Sequence, residues 1–520
     1  MSKLYVNIDS NDYASQFLNN LVDIKDEKGD SISRADMYPF IDLYANTNVT
    51  DIMLCINCQR SLFESKVFTD VFDKHDQTVE NGIAVDYKKS NRGIYTVYKE
   101  YGIDPFDVWF ARCKEMGITP WASIRMNDCH FPFDATSNWR TDFFYEAQRN
   151  GWIIGNRFVN PESYKSGYDC DYYQSCLDYS VEQVRNKFLD YIDEVLSRYD
   201  VDGIEYDFMR EIRSFDYVNQ RDKCEIINDF MQKAKAIVTK YEKKYNHPIK
   251  TAIRLMRDVL QNKEYGFDII TLTKNNLVDT VVVSPRWETN DSDMPIPQWK
   301  EVLPNTEILA CIDTQTVCGS PACHSTADVV RGYCNRYLSD GADGMYLFNY
   351  YVNPLNTTSY GKIRGERSAE IFNTCGSLEQ VQRHPMRFIV TEQDTCPEGC
   401  QIYKPLPIEL DGNEKVLAVS VGKILPDATV NVIIGIDSAS AEQLKVTANG
   451  KPLPAGLRKN PKPADMQEVP ADSQFPCNCG YIKEGTLTYE FPLEREESGK
   501  YNLAFNAPKG KITYVEINIE

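Results

Sequence analysis

At 520 residues, with 42% hydrophobic and 26% charged side chains, the chain is too long for one ordinary core and has the balance of a folded, water-soluble protein of two domains. Its net charge of −19 repels polyanions, which argues against nucleic acid or an anionic membrane surface as partners and favours a neutral substrate. No run of about 18 apolar residues is present that could cross a bilayer as a helix.

The opening Met1-Ser2-Lys3-Leu4-Tyr5-Val6-Asn7 enters strand-like sequence without the apolar core of a leader, which reads as a cytoplasmic chain; a secreted protein whose leader has been removed would look the same. Short β-rich runs then recur, each ending in polar residues: Leu4–Asp9, Asp51–Asn57, Ile118–Asn127, Gly203–Met209, Ile249–Met256, Asp279–Pro285, Glu307–Asp313 and Gly344–Asn349. Their centres are continuous apolar runs, as parallel strands buried on both faces require. Helical patterns lie between them. Val181, Val184, Phe188, Ile192, Val195 and Tyr199 recur at helical spacing after a capping box expected at Ser180 and Gln183, and Ile227, Phe230, Met231, Ala234, Val238 and Tyr241 share one face of a second helix. Strand-helix alternation repeated eight times predicts a (β/α)8 TIM barrel over residues 1–383, with a long insertion at about 129–175; an open doubly wound sheet is the structural rival.

From about His384 helical periodicity stops. Alternating runs at Val416–Val421, Thr429–Ile434 and Lys511–Ile517 among Pro/Gly turns predict a smaller antiparallel β-sandwich over 384–520, with Ala455–Ser473 as a long loop. The 16 cysteines fall mostly as singles (Cys55, Cys58, Cys113, Cys129, Cys170, Cys176), which read as small buried hydrophobes and reduced thiols. The late clusters Cys396/Cys400 and Cys477/Cys479 lack the usual zinc spacing, so no metal is expected.

In a TIM barrel, chemistry sits where the strands end. In Val201-Asp-Gly-Ile-Glu-Tyr-Asp-Phe-Met-Arg210, strand alternation points Glu205 and Asp207 one way and Ile204, Tyr206 and Phe208 the other. Ionised carboxylates facing a barrel axis need partners, so the structural alternative is a network with Arg125, Arg254 or Arg257. Glu288 follows the sixth strand and Asp313 ends the seventh. The third rim carries Arg125, Asn127, Asp128 and His130. The insertion carries Phe131, Phe133, Trp139, Phe143, Phe144, Tyr145, Trp152, Phe158, Tyr164, Tyr168, Tyr172 and Tyr173. Most of these rings are expected to build the insertion's own core, leaving a few, with Trp287 and Trp299, as platforms for sugar rings.

Asp202-Gly-Ile-Glu-Tyr-Asp-Phe-Met-Arg210 resembles the fourth-strand motif of the glycoside-hydrolase-like family 10 group of bacterial barrels, and Leu177–Ser180 and Arg198–Val201 resemble its lead-in. Ser123–His130, Ser284–Pro295 and Gly341–Asn349 are similar to its other rim motifs. The resemblance spans most of residues 1–380 and implies hydrolysis of glycans. A fainter likeness is to the family 18 chitinase strand, but Met209 stands where that family's terminal catalytic Glu would be, which excludes its usual mechanism.

Glycosidic cleavage needs a carboxylic acid to protonate the leaving oxygen and a carboxylate that attacks the anomeric carbon or activates water. The expected catalytic residues are Asp207 as nucleophile or base and Glu288 as general acid, with Glu205 orienting or tuning Asp207 and Asp313 as the alternative second carboxylate. A carboxyl separation of about 5–5.5 Å would mean retention and about 6.5–9.5 Å inversion. Asn57, Arg125, Asn127, Asp128, His130, Arg254, Trp287 and Asn349 are the expected substrate contacts. No cofactor is expected, because neither G-x-G-x-x-G nor G-x-x-x-x-G-K-[ST] occurs, and only five histidines are present to serve a metallohydrolase. The rival reading is a non-catalytic glycan-binding barrel; homo-oligomerisation is left open.

Overall fold

The computed structural model describes residues 2–72, 78–80, 83–85, 91–129, 140–154, 175–209, 211–215, 223–285, 289–316, 323–350, 352–357, 359–391, 404–437, 443–454, 456–459 and 486–520. Eight strands, β1 (Lys3–Ile8), β2 (Asp51–Cys55), β3 (Thr119–Arg125), β4 (Gly203–Asp207), β5 (Lys250–Met256), β6 (Thr280–Ser284), β7 (Glu307–Asp313) and β8 (Gly344–Phe348), close in the order β1-β8-β7-β6-β5-β4-β3-β2. Every neighbouring pair is parallel. The barrel is therefore closed, as the eight apolar runs predict, and the open-sheet alternative is excluded.

Helices fill the crossovers: α1 (Leu18–Lys28), α2 (Pro105–Glu115), α3 (Asp142–Asn150), α4 (Glu182–Arg198), α5 (Cys224–Tyr245), α6 (Val259–Glu264), α7 (Ile269–Lys274), α8 (Ile296–Val302), α9 (Ala327–Ser339) and α10 (Ser359–Thr374). On α4, Val184, Phe188, Tyr191, Ile192, Val195 and Leu196 are buried, the stripe its spacing predicts. Its start differs from expectation: the N-cap is Val181 with no side-chain cap, and Ser180 instead donates its backbone N–H to Asp178 Oδ1 at 2.8 Å. An Asx turn thus takes the place of the capping box. No described helix is long and apolar enough to cross a membrane.

The C-terminal region is an antiparallel sandwich of β9 (Met386–Ile389), β10 (Ile408–Leu410), β11 (Lys415–Ser420), β12 (Val430–Ile436), β13 (Lys445–Ala448), β14 (Lys451–Pro452), β15 (Leu457–Lys459), β16 (Leu487–Leu493), β17 (Lys500–Asn506) and β18 (Gly510–Ile519). One sheet runs β9-β18-β12-β16-β15, with β10 also on β18; the other runs β11-β17-β13-β14. Leu417 and Val419 of β11 face inward while Val416 and Ala418 face out, the alternation that marked this run in the sequence. β15 occupies the start of the expected 455–473 loop, most of which lies outside the described residues, as do the Cys396/Cys400 and Cys477/Cys479 clusters.

α9 joins the two regions. Every residue from Val329 to Leu338 is buried, because one face lies on the barrel and the other on the sandwich. Tyr333 donates its hydroxyl to Ile389 O at 2.9 Å and packs edge-on against Phe388, while Asn335 Nδ2 donates to Val421 O at 2.6 Å. The rim loop after β6 is tied to the sandwich as well: Ser292 N donates to Thr391 Oγ1, and Thr391 N to Ser292 Oγ, both at 3.2 Å.

Candidate active site

Strand alternation divides the barrel's apolar residues into two separate clusters. Leu4, Val6, Ile52, Leu54, Ile124, Ile204, Tyr206, Ile253, Val281 and Leu347 join the layer between strands and helices. Tyr5, Met53, Trp121, Ala252, Val282, Leu309, Cys311, Tyr346 and Phe348 fill the interior. Glu205 and Asp207 share the parity of this second set, so both carboxyls point inward, as their spacing predicts.

Polar groups cross the interior in layers. At the N-terminal end, Glu307 accepts from Tyr5 Oη at 3.1 Å and Thr280 Oγ1 at 2.7 Å and pairs with Lys3 at 2.9 Å, while Trp121 Nε1 donates to Asp51 Oδ1 at 2.9 Å. One layer higher, Glu205 is fully buried. Its Oε1 accepts from Tyr346 Oη at 2.7 Å and its Oε2 from Asn7 Nδ2 at 3.1 Å. Burial, then the charge of Asp207, push the Glu205 carboxyl up to about 7, against the pull of Arg254, Ser123 and Tyr346. The protonated form of Glu205 is therefore favoured below about pH 7.

At the C-terminal mouth, the register places Arg125, Asp207 and Arg254 side by side on β3, β4 and β5. Arg254 Nε lies 3.2 Å from Asp207 Oδ1, which also accepts from Met209 N at 3.0 Å. The Arg254 guanidinium stacks over the Phe348 ring, 3.9 Å from its centroid. Arg254 is wholly buried, yet its Nε, Nη1 and Nη2 donate no hydrogen bond to any described residue; the contact with Asp207 is ionic rather than aligned. Burial opposes the Arg254 charge, and the groups around it, Asp207 first and then Tyr346, Cys311 and Glu205, together outweigh that penalty. Arg125 is held between two carboxylates, Asp9 and Asp128, the latter at 3.0 Å. Of the expected network alternative, Arg254 alone pairs with Asp207; Arg125 pairs instead with Asp9 and Asp128, and Arg257 with Asp291 at 2.5 Å.

Other expected residues are distributed around this centre. Asp313 ends β7 beside Phe348, buried, with its backbone clamped: Asn290 Oδ1 accepts from Asp313 N at 2.8 Å and Asn290 Nδ2 donates to Asp313 O at 2.9 Å. Asn57 bridges to β3 through Arg125 N (2.9 Å) and Arg125 O (3.1 Å). Asn127 holds the far end of the insertion through Leu177 N (2.9 Å), Leu177 O (3.1 Å) and Arg213 O (2.7 Å). Both amides thus brace the rim. Asn349 turns the chain after β8 at φ 62°, a left-handed conformation that Asn tolerates. His130, Trp287 and Glu288 lie outside the described residues. Phe143 and Phe144 are buried at the insertion's base and Phe143 packs on Trp152, while Phe131, Phe133, Trp139, Phe158, Tyr164, Tyr168, Tyr172 and Tyr173 lie outside the described residues. Trp299 is a correction: it is fully buried, with Nε1 donating to Arg257 O at 2.7 Å, so it is not a platform.

Asn7, Asp9, Tyr346 and Asn290 were not singled out by the sequence. Tyr346 shares inward parity with Gly344 and Phe348, and Asp9 is the polar end of the first run, so both carried a signal. Among the described residues, no group of three or more His, Cys, Asp or Glu side chains has the arrangement of a metal site.

No protein-family model matches the chain, and no curated protein matches it. Solved structures that are similar to it include glycoside hydrolases. The glycoside hydrolase domain of PgaB (BpsB) from Bordetella bronchiseptica is 12% identical, covering 73% of this chain and 99% of its own, with a TM-score of 0.41. The alpha-L-fucosidase from Vibrio sp. strain EJY3 is 9% identical over 99% of this chain and 96% of its own, TM-score 0.40. Alpha-L-fucosidase isoenzyme 1 from Paenibacillus thiaminolyticus is 12% identical over 97% and 96%, TM-score 0.34. At such identities and scores these likenesses carry no argument about chemistry, which rests on the residues themselves.

Proposed function

We propose that this chain hydrolyses a glycosidic bond in an oligo- or polysaccharide held at the C-terminal mouth of the barrel, as the resemblance of its rim motifs to the glycoside-hydrolase-like family 10 group implies. The observation that carries the reading is the assembly at the end of β4 and β5. A buried carboxylate, Asp207, faces the barrel mouth beside a buried guanidinium whose nitrogens have no hydrogen-bond acceptor among the described residues. Buried donors require acceptors, and the hydroxyl and ring oxygens of a sugar supply them.

In this reading Asp207 attacks the anomeric carbon or activates water, and Glu288, which follows β6 in the sequence, protonates the leaving oxygen. Asp313 is the alternative acid. Burial favours the protonated form of Glu205 beneath Asp207, and Arg254 lies 3.2 Å from the Asp207 carboxyl and positions it. Arg125, Asp128 and Asn349 are rim contacts for the glycan. A non-catalytic glycan-binding barrel is the second reading, favoured by the Asp207–Arg254 ion pair, which accounts for both buried charges without turnover.

The test is a panel of aryl glycosides and mixed oligosaccharides with wild type, Asp207→Asn, Glu288→Gln and Asp313→Asn. Release by wild type that is lost in Asp207→Asn and Glu288→Gln supports the assignments. Loss in Asp207→Asn and Asp313→Asn, with Glu288→Gln active, moves the acid to Asp313. Glycan binding without release, unchanged in the variants, overturns the enzyme reading.

A further inference from the structure

Two sets of hydrogen bonds hold the described residues that flank and enter the rim insertion, 127–129, 152–154 and 176–178. On one side Asn127 accepts from Leu177 N and donates to Leu177 O, fixing the chain that leaves β3 against the chain that returns from the insertion. On the other, Ile154 N donates to Cys176 O at 2.9 Å and Asp178 N to Trp152 O at 2.8 Å. Between these ties, Cys129 and Cys176 are both buried and pack against each other, with Ile154 beside them.

We infer that Cys129 and Cys176 are a disulfide-forming pair whose oxidation closes the neck of the rim insertion. The Asn127 side chain ties the two flanking segments together through Leu177, and the two cysteines already share one buried cluster. The bridge would restrict the unfolded chain across residues 130–175, and the gain from such a restriction rises with the length enclosed. The inference is independent of the proposed activity.

The chemistry is thiol–disulfide exchange with a low-molecular-weight disulfide such as oxidised glutathione. One thiolate attacks the oxidant, releasing one reduced thiol and leaving a mixed disulfide. The second thiolate attacks the protein sulfur of that intermediate, forming the Cys129–Cys176 bond and releasing a second reduced thiol. Two protein thiols lose two protons and two electrons, and the oxidant gains both. Burial first, and then the Cys176 thiol and the nearby charges of Glu211 and Asp128, hold the Cys129 thiol protonated in the folded protein. Exchange therefore occurs while the chain is folding, in an oxidising compartment, and is suppressed once the neck has closed.

The experiment uses the full chain produced twice, once exported to an oxidising compartment and once in a reducing cytosol. Each sample is denatured, alkylated without reduction and mapped by peptide mass spectrometry. The expected result is a Cys129–Cys176 crosslinked peptide in the exported protein only, with Cys113 and Cys311 alkylated in both. Full alkylation of Cys129 and Cys176 in the exported protein, or linkage of either to another cysteine, would overturn the inference. Cys176→Ser supplies a second readout. It should lower the melting temperature of the exported protein more than that of the cytosolic one, whereas an equal loss in both would assign the contact to packing alone.

Discussion

Tyr346 and Glu205 meet across the barrel axis: the phenol on β8 donates to Glu205 Oε1 at 2.7 Å from the strand diametrically opposite β4. The bond ties opposite walls of the barrel beneath the candidate site. Tyr346→Phe leaves the shape of the interior almost unchanged and removes one donor to a buried carboxyl. We expect a loss of about 1–3 kcal/mol in stability, the cost of a buried polar group deprived of its partner. Because the lost bond favoured the ionised form, the Glu205 carboxyl should titrate still higher, which a carboxyl-carbon NMR titration reads directly. An unchanged titration would show that the hydroxyl does not tune this acid.

The same carboxyl makes a signed prediction about pH. Its ordinary value is 4.5 and burial raises it to about 7, so between these values the folded protein binds a proton that the unfolded chain does not. Its contribution to stability is fully present below about pH 4.5 and is lost as pH rises through about 7, at up to about 1.4 kcal/mol per pH unit. Glu205→Gln carries the neutral form at every pH. Urea midpoints measured from about pH 5 to about pH 8 should therefore fall more steeply in wild type than in the variant. Parallel slopes would contradict the assignment.

How much of this was readable beforehand follows from the physics of each feature. Parallel strands buried on both faces leave continuous apolar runs, so the eight strands stood out, and period-2 alternation alone aimed Glu205 and Asp207 inward. The partners of Glu205 were not readable, because Asn7 lies 198 positions away and Tyr346 lies 141, and only closure of the barrel brings them together. Ser180 had the composition of a cap, but Asp178 two residues earlier captured its amide. Trp299 looked like a platform because exposure cannot be read from residue type; α8 turns it into the core, where Arg257 O satisfies its indole N–H.

Arg254 offers a test of whether the site is held by charge. Arg254→Leu removes the guanidinium charge beside buried Asp207, which should destabilise the fold by about 3–5 kcal/mol. Removing both charges in Arg254→Leu/Asp207→Leu should restore much of that loss, so the two effects are strongly non-additive in a chemical-denaturation cycle. Simple additivity would mean that the 3.2 Å contact carries little coupling.

Asn290 gives a comparable test at β7. Its amide both donates to and accepts from the Asp313 backbone and also donates to Thr316 Oγ1 at 3.1 Å. Asn290→Ala strands these groups in a dry environment and should lower stability by about 1–3 kcal/mol. If Asp313 is the second carboxylate, the variant should also lower kcat more than it raises KM, because the ground-state contacts with the glycan survive. A kcat unchanged alongside the expected loss of stability would remove Asp313 from the chemistry.

Gly332 marks the closest approach between α9 and the sandwich. A Cβ placed there would lie 2.1 Å from Arg387 O and 2.7 Å from Arg387 C, and both are backbone atoms that no rotamer change can move. Gly332→Ala must therefore push α9 away from β9, disturbing the Tyr333 hydroxyl bond to Ile389 O and the edge-on contact with Phe388 on the same face. Overpacking of this kind should cost about 1–3 kcal/mol, read as a lower melting temperature. The displacement also reaches the rim through Thr391 and Ser292, so the variant should lose glycan release along with stability. Full activity at a temperature where the variant remains folded would show that the sandwich supports the barrel without setting the geometry of the rim.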